Sequence, residues 1–490
     1  MLFHTAVYAL FLPTVLGLYW LIGLLRPRGS GLQLQNAVLL TASYFFYGWW
    51  DVRFLGLIIA SSVIDFVVGL GLEAAASPRR RRWILGASLV ANLGILGFFK
   101  YYNFFVSSAV EAFGALGIDL HAPTLHVILP VGLSFYTFQS LTYTIGVYRR
   151  QIPAEHNPLA FLAYVAFFPQ LVAGPIERAG HLLPQFLRPR HVSAAEFASG
   201  LRQITWGLFC KLVVADNCAV VVNSVFDHPG PLPGSVALIG AFFFAFQIYC
   251  DFSGYSHIAL GTARLFGFEL MQNFATPYFS QSIPEFWRRW HISLSTWFRD
   301  YVFIPMGGSR VSKPRYTFNI LVTFTVSGLW HGANWTYVAW GFLNGLYYLP
   351  HIALGKLTPA KDAPRHSRTP ILIALRVAVT FLLTLIAWIF FRAKTLGAAL
   401  GMVGEVFSRS LFSNPLPLLR AAGVVTPMAF SAAAIALLLV LEFIQRDKGY
   451  ALDVETSKWP ARWAAYASVV AVIVCFRYTG SALDFIYFQF

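Results

Sequence analysis

Long apolar stretches recur along the whole chain and are separated by short clusters of basic residues. A stretch of about 20 apolar residues is long enough to cross a bilayer as a helix. The pattern predicts about eleven such helices, with residue 1 outside the cytoplasm because Arg26 and Arg28 follow the first span. The predicted spans are 7–25, 38–50, 54–72, 83–99, 127–147, 203–225, 236–265, one or two within 316–354, 371–391, 425–441 and 461–476.

Composition agrees with a membrane protein. Hydrophobic residues make up 57% of the 490 residues and charged residues only 12%, whereas soluble domains carry roughly 25% charged residues. We therefore predict a single membrane domain over residues 1–490. The net charge of +15 is explained by cytoplasmic loops and anionic lipid headgroups rather than by nucleic acid. The four cysteines show no metal-ligand spacing and are expected to be free and buried, so no metal site is predicted.

Two segments depart from the regular alternation of span and loop. Residues 158–172 form an apolar run of about 15 residues that ends at Gly174-Pro175, which predicts a re-entrant or interfacial helix. Residues 106–126 carry acidic side chains but no Lys or Arg, and we expect them to form an external loop.

The stretch 316–354 carries no Asp, Glu, Lys or Arg and contains His331. It could hold two short spans or one span and a re-entrant piece, with a break at Gly328 and Gly332. A titratable ring in such a run is costly unless it has partners or a task, and imidazole is suited to proton transfer near neutral pH. Both ends are expected in the cytoplasm because basic residues follow, namely Lys356, Lys361, Arg365 and Arg368.

A second histidine, His291, follows a helix-start signal. Ser282 is a candidate N-cap, Glu285 lies three residues later, and Pro284 falls in the first turn. A continuous helix from Ser282 to about Tyr301 would have an apolar and a cationic side and would lie at the membrane surface. The apolar side would carry Trp287, His291, Leu294 and Phe298, and the cationic side Arg288, Ser295 and Arg299.

Several further polar residues lie within predicted spans. Asp251 and Ser253 are one group, and Tyr136 and Gln139 are another at helical spacing. These side chains either line a tunnel or make ordinary helix–helix contacts, and hydrogen bonding between helices is the favoured explanation for Asp251 and for Asp65.

Common catalytic motifs are absent from the sequence. It contains no H-x-x-x-x-D pattern, no G-x-S-x-G elbow, no H-E-x-x-H and no Walker A loop. Serine hydrolase, zinc protease and ATP-driven pump functions therefore lose their usual support. A role for His331 as a general base or in a proton relay remains.

Taken together, five segments of the chain resemble the membrane-bound O-acyltransferases. The similarity is greatest to the bacterial branch that includes the alginate O-acetylation protein and the D-alanine exporter of teichoic acid modification. The segments are 43–49, 167–176, 247–255, 286–301 and 327–332. They lie in a core of about residues 40–345, followed by C-terminal helices in 346–490.

The resemblance implies an all-α polytopic fold, with re-entrant and interfacial helices around a central tunnel. It implies that His331 is the catalytic histidine and that His291 occupies the second active-site position, where other branches usually have Asn. The expected tunnel-lining residues are Trp287, Trp290, Trp330, Asn334, Gln139, Tyr136, Asp251 and Ser253. The expected donor-binding basic residues are Arg288, Arg289 and Arg299.

The resemblance also implies transfer of an acyl group, acetyl by preference, to a hydroxyl of an exported polysaccharide or cell-wall glycan. The donor would be acetyl-coenzyme A or a carrier-protein thioester, with no permanently bound cofactor. The expected location is the bacterial inner membrane, and an external acyltransferase is an expected partner. Two other functions remain open: a secondary transporter with His331, Asp251 and Asp65 as a proton relay, and a non-catalytic scaffold of a polysaccharide synthase.

Overall fold

The computed structural model describes residues 1–26, 30–120, 123–125, 127–172, 174–354, 369–480 and 485–486. These residues form helices joined by turns, and no β-strand occurs among them. The first eleven helices are α1 (Ala6–Leu25), α2 (Ser30–Gly48), α3 (Leu55–Ala74), α4 (Pro78–Leu96), α5 (Tyr102–Ala115), α6 (Leu133–Tyr148), α7 (Pro158–Ala166), α8 (Phe168–Leu171), α9 (Ala179–Phe186), α10 (Ala194–Leu208) and α11 (Asp216–Phe226). The others are α12 (Gly234–Leu265), α13 (Ile283–Arg289), α14 (Ile292–Phe298), α15 (Lys313–His331), α16 (Trp335–Leu346), α17 (Leu349–Ala353), α18 (Pro370–Arg392), α19 (Leu396–Val406), α20 (Leu416–Ala421), α21 (Val425–Ile444) and α22 (Trp459–Phe476).

Eight helical segments within the described residues are long and apolar enough to cross a membrane, and some of them join two neighbouring helices. The all-helical, multi-pass fold class is therefore confirmed. Three predicted spans are not among the eight, and they correspond to α2, to α6 and to the pair α15–α16. The eight segments are Ala6–Leu25, Val52–Ala74, Pro78–Ala115, Ala194–Phe226, Gly234–Leu265, Pro370–Arg392, Val425–Ile444 and Trp459–Phe476.

The predicted external loop at 106–126 is partly wrong, because helical structure continues from Pro78 to Ala115 through a π-helical segment, Gly97–Tyr101. No proline interrupts the chain between Pro78 and Pro123, and a single acidic residue does not end a helix. The prediction at 127–147 began too early. Helix α6 starts only at Leu133, after Pro130 and a left-handed Gly132.

The described chain forms two compact units. The first comprises Met1–Ile204 and Tyr255–Met271. Within it, the buried carboxylate of Asp65 on α3 accepts hydrogen bonds from Ser88 Oγ at 2.8 Å and Asn92 Nδ2 at 2.9 Å on α4. Asp65 thus makes the helix–helix hydrogen bonds that polar groups need in an apolar setting.

The second unit comprises Thr205–Gly254 and Gln272–Phe490. Within it, α15 packs closely against α16, and α16 packs against α18. The break predicted at Gly328 and Gly332 occurs only at Gly332, where α15 ends. Gly328 instead lies inside α15, where the absence of a side chain lets α16 approach. Arg28 and the predicted cytoplasmic residues Lys356, Lys361, Arg365 and Arg368 lie outside the described residues.

Candidate active site

His331 is the last residue of α15. The helix stops there because Gly332 adopts an extended conformation, with φ −165° and ψ 151°. A Cβ atom on Gly332 would collide with the ring of Tyr337, so glycine is required for this turn. Asn334 then starts α16 by accepting a hydrogen bond from the Thr336 N–H at 3.0 Å. The chain therefore turns sharply directly after His331.

His291 lies between two seven-residue helices, α13 and α14. The Ser282 side chain caps α13 by accepting the Glu285 N–H, in agreement with the predicted start. The predicted continuous helix to Tyr301 is wrong, however, because α13 ends at Arg289 and α14 begins at Ile292. His291 has φ +42° and ψ 55°, a left-handed conformation that side-chain-bearing residues rarely adopt.

Asn273 stabilises this break from a distant part of the chain. Its backbone carbonyl accepts the Ile292 N–H at 2.9 Å, and its side-chain Oδ1 accepts the Ser293 hydroxyl at 2.6 Å. Both Asn273 and Ser293 are buried. Since strained residues persist only where their surroundings hold them, Asn273 accounts for part of the conformation at His291.

The two histidine rings lie close together in the second unit. Their centroids are 6.2 Å apart, and the ring planes make an angle of 56°. His291 is 0% exposed and His331 is 3% exposed. The structure thus brings both predicted histidines into one buried cluster, although 39 residues separate them in the sequence.

Aromatic side chains enclose the pair. Trp340 and Phe391 meet the ring of His331 edge-on at centroid distances of 5.1 Å and 5.4 Å. Phe252 meets the ring of His291 at 4.6 Å with an interplanar angle of 90°. The ring centroid of Trp330, a predicted tunnel-lining residue, lies 6.0 Å from that of His291.

Sequence reasoning missed most of this aromatic enclosure. Trp340, Phe391 and Trp388 were not predicted, and no local pattern distinguishes them from other aromatic residues of apolar helices. Trp388 stacks on Trp340 at 5.8 Å and packs against the predicted Trp290 at 5.1 Å. Phe252 could have been noticed, because it lies within the 247–255 segment that carries part of the family resemblance.

The enclosure controls the charge of His291. Burial lowers the pKa of His291 to about 3, because the charged imidazolium is poorly solvated among aromatic rings. The His291 ring is therefore neutral at physiological pH. A neutral imidazole can donate one hydrogen bond from its N–H, but a group with so low a pKa accepts a proton poorly at pH 7.

A cavity of about 410 Å³ opens beside α13 and α14. Two of the three predicted basic residues line it, Arg288 and Arg299, together with Trp287. Arg289 is not part of the lining. Its guanidinium forms an ion pair with Glu285 at 2.8 Å, and Arg299, which does line the cavity, forms one with Asp300 at 2.8 Å. Other lining residues are Pro284, Ile292, Ser295, Thr296, Phe298, Phe303, Tyr316, Ile320, Thr323, Phe324, Ser327 and Tyr348.

The remaining predicted residues of the second unit have structural contacts. Besides capping α16, Asn334 donates from Nδ2 to the Lys394 carbonyl at 3.1 Å. Asp251 forms a buried ion pair with Lys211 at 2.7 Å. Ser253 is buried within α12.

Tyr136 and Gln139 belong to the first unit, whereas both histidines belong to the second. Gln139 Nε2 donates to the Tyr164 carbonyl at 2.8 Å, and Tyr164 Oη donates back to the Gln139 carbonyl at 3.2 Å. Tyr136 is buried beside Tyr47. Gln139 thus makes ordinary helix–helix contacts, one of the two alternatives that the sequence left open.

Among the described residues, no group of three or more His, Cys, Asp or Glu side chains is arranged to hold a metal ion. Three of the four cysteines are buried and free, as predicted. Cys475 is exposed, contrary to the prediction, because it lies on the largely exposed helix α22.

The sequence matches known proteins over most of its length. A profile of the membrane-bound O-acyltransferase family (MBOAT) matches residues 122–392, which include both histidines. The chain is 43% identical to the probable alginate O-acetylase AlgI of Pseudomonas aeruginosa, over 83% of this chain and 75% of that protein. It is 36% identical to a peptidoglycan O-acetyltransferase of Helicobacter pylori, over 75% of this chain and 73% of that protein. It is 29% identical to a teichoic acid D-alanyltransferase of Streptococcus thermophilus, over 44% of this chain and 55% of that protein.

Asp65, a member of the alternative proton relay, accepts hydrogen bonds from Ser88 and Asn92 on α4, and the family match points to acyl transfer. The family profile covers more than half of the chain, and the alginate O-acetylase similarity extends over most of it. The chain therefore belongs to the membrane-bound O-acyltransferase family and is a multi-pass O-acyltransferase.

Proposed function

We propose that this protein transfers an acetyl group from a thioester donor to a hydroxyl of an exported or cell-wall glycan, with His331 as general base. The observation that carries the proposal is the pair of buried imidazoles, His291 and His331, with ring centroids 6.2 Å apart inside an aromatic enclosure. Relatives named for O-acetyl transfer match at 36% and 43% identity, which favours acetyl over D-alanyl.

The two histidines have different roles in this proposal. His291 is neutral at physiological pH, so it suits the donation of a hydrogen bond to a developing oxyanion. His331 lies at the end of α15, where only the turn at Gly332 separates it from α16, and it takes the role of the base.

The proposed reaction proceeds in two proton transfers around one acyl transfer. His331 removes the proton from the acceptor hydroxyl, and the oxygen attacks the thioester carbonyl carbon. The negative charge that forms on the carbonyl oxygen is stabilised by the N–H of His291. The carbon–sulfur bond then breaks, and the leaving sulfur takes the proton from His331. The products are an ester and a free thiol, and neither metal nor redox chemistry is needed.

The donor would approach through the cavity of about 410 Å³ that Arg288 and Arg299 line. Both acetyl-coenzyme A and a carrier-protein prosthetic arm present phosphate groups, and two exposed guanidinium groups attract either donor. The two donors are distinguished by supplying each one separately to the purified protein.

The names of the relatives support our proposal for the acceptor, and the distribution of charge supports our proposal for the orientation in the membrane. Alginate and peptidoglycan lie outside the cytoplasm, so we place the protein in the inner membrane with an external acyltransferase as partner. Basic residues at Arg79–Arg82 and at Arg149 and Arg150 are assigned to the cytoplasmic side, which puts residue 1 outside. Reporter fusions at residue 1 and after Arg150 test this orientation.

The test of the reaction uses the full chain in proteoliposomes. Labelled acetyl-coenzyme A or an acetylated carrier protein is supplied with alginate oligosaccharides or peptidoglycan fragments, and both the free thiol and the acetyl ester are measured. His331→Ala is expected to lower the rate by about 10²–10⁴-fold, the range for general base catalysis. His291→Ala is expected to lower it as well, by about 10²-fold or more, the range for loss of one oxyanion donor.

The matched control is His228→Ala, because His228 is an exposed histidine of the same unit whose ring hydrogen-bonds to Gly230 in its own loop. This variant should keep the wild-type rate. A His331→Ala protein that acetylates as fast as the wild type contradicts the proposed function.

A further inference from the structure

A short distal segment of the chain, Phe485 and Ile486, is buried in the second unit. Phe485 is 1% exposed and Ile486 is 2% exposed. The backbone N–H of Ile486 donates to Asp251 Oδ2 on α12 at 2.7 Å. This hydrogen bond joins residues 235 positions apart, and it attaches the distal segment directly to the helix that carries Phe252.

Asp251 is held on its other side by a buried ion cluster. Lys211 Nζ lies 2.7 Å from Asp251 Oδ1 and 2.8 Å from Asp216 Oδ1. One ammonium group therefore faces two carboxylates, which leaves the cluster with one excess negative charge if all three groups are ionised. A buried charge is unfavourable unless it accepts hydrogen bonds, so the N–H of Ile486 stabilises the cluster.

Phe252, next to Asp251 in sequence, connects this cluster with the active site. Its ring is 6.3 Å from the ring of Phe485 and 4.6 Å from the ring of His291. Phe252 thus lies between the distal segment and the candidate oxyanion donor. The next upstream part of the chain is attached nearby, because the Tyr478 N–H donates to the Leu212 carbonyl at 3.2 Å, beside Lys211.

The ring of His291 needs such support. Its backbone is in the left-handed region, and Asn273 holds the two residues that follow it, Ile292 and Ser293. The imidazole itself rests edge-on against Phe252. An oxyanion donor must keep its position to within about 0.5 Å of the productive geometry to stabilise the transition state.

We propose that the distal segment is a positioning element for acyl transfer: Ile486 and Phe485 fix Asp251 and Phe252, and Phe252 in turn orients the ring of His291. The proposal rests on the proposed role of His291 in catalysis. Neither Phe485 nor Ile486 is a catalytic residue, since both act through α12.

The first test removes the single hydrogen bond from Ile486. Ile486→Pro deletes the N–H that Asp251 accepts, whereas Ile486→Val retains it and serves as the conservative control. We expect Ile486→Pro to lower kcat about tenfold or more while the KM for the thioester donor stays unchanged, because misorientation affects the chemical step and not donor binding. Ile486→Val should restore the wild-type kcat. A wild-type kcat in Ile486→Pro overturns the proposal.

Phe485→Leu supplies an independent variant that keeps every backbone donor. It shortens the side chain that packs against Phe252, and we expect a smaller loss of kcat, again without a change in donor KM. If Ile486→Pro does not yield folded protein, Phe485→Leu decides the question, and a wild-type kcat in this variant then overturns the proposal.

A double-mutant cycle separates positioning from a general structural role. Ile486→Pro is combined with His291→Ala, which removes the ring that the segment is proposed to orient. If the segment acts through His291, Ile486→Pro lowers kcat in the wild-type background and adds no further loss in the His291→Ala background. If Ile486→Pro lowers kcat by the same factor in both backgrounds, the positioning proposal is overturned. Failure of the proposed function has a different signature, a wild-type rate in His331→Ala.

Discussion

Gly328 on α15 and Gly341 on α16 meet backbone to backbone. A Cβ atom on either residue would lie 3.0 Å from the Cα of the other, and it would also collide with a backbone carbonyl oxygen, that of Tyr337 for Gly328 and that of Phe324 for Gly341. This close approach holds the end of α15, and with it His331, against the helix that carries Trp340.

We therefore expect Gly341→Ala to lower the free energy of unfolding by about 1–3 kcal/mol, the usual effect of overpacking a tight contact. Thermal melting of the detergent-solubilised protein measures this, and acyl transfer should fall in parallel. Gly401→Ala is the control, since no atom lies within 4 Å of the corresponding Cβ position and alanine favours helix over glycine. Equal melting temperatures for the two variants would contradict the proposed contact.

Asn273 offers a second test of how the break at His291 is held. Asn273→Ala removes an acceptor of the buried Ser293 hydroxyl, and losing this buried hydrogen bond should lower the free energy of unfolding by about 1–3 kcal/mol. The rate of acyl transfer should fall more steeply than stability alone predicts, because His291 precedes the released residues. The exposed Asn414 provides the comparison, and Asn414→Ala should leave the rate unchanged. An unaltered rate in Asn273→Ala would show that the hydrogen bonds of Asn273 do not affect His291.

Charge at the cavity beside α13 and α14 gives a third prediction. Arg288→Gln and Arg299→Gln should each raise the donor KM about 1.4-fold to fivefold, as expected for exposed ion pairs worth about 0.2–1 kcal/mol. The increase should shrink as salt is added, because salt screens exposed charges. Arg409→Gln removes an exposed arginine of the same unit that does not line the cavity, and its donor KM should match the wild type. If all three variants have the same donor KM, the donor does not enter through the cavity beside α13 and α14.

The depressed pKa of His291 predicts acid sensitivity. The pKa is about 3 in the folded protein and about 6.5 in the unfolded chain, so below pH 6.5 the unfolded state binds a proton that the folded state does not. The stability contribution is fully present above pH 6.5 and is lost as pH falls toward 3. Between pH 6.5 and pH 5 the loss is about 2 kcal/mol.

The measurement compares melting temperatures at pH 7 and pH 5 for the wild type and for His291→Gln. Both proteins retain His331 and every other titrating group, so the difference between them isolates the contribution of His291. The variant should lose less stability on acidification than the wild type. An identical pH dependence in the two proteins would mean that His291 is not buried as a neutral group.

Much of the architecture follows from local patterns. Apolar runs predicted most of the spanning helices, and the start of α13 was predicted from Ser282, Glu285 and Pro284. These features are local because a bilayer selects continuous apolar helices and because a cap depends on residues within one turn. Gly332 was one of the two glycines at which a break was predicted, and α15 ends there.

The candidate site was predicted only in part. The pattern around His291 favoured one continuous helix, because the helical periodicity of its apolar residues continues through the break. Asn273 contributes to the break, and because it precedes His291 by 18 residues it leaves no signal near it in the sequence. Arg289 had the same apparent role as Arg288 in the sequence, but in the structure Arg288 lines the cavity and Arg289 does not.

The sequence by itself thus determined the class of molecule: a polytopic helical membrane protein of the O-acyltransferase family, with His331 in an uncharged stretch and His291 in a basic one. Bilayer solvation, capping and family resemblance act on short segments, so they can be recognised without the fold. Only the tertiary structure decided that the two histidines meet, that Trp340, Phe391 and Phe252 surround them, and that Ile486 reaches Asp251 across 235 positions. Such contacts depend on how distant helices pack, and close packing is a property of the whole unit rather than of any one segment.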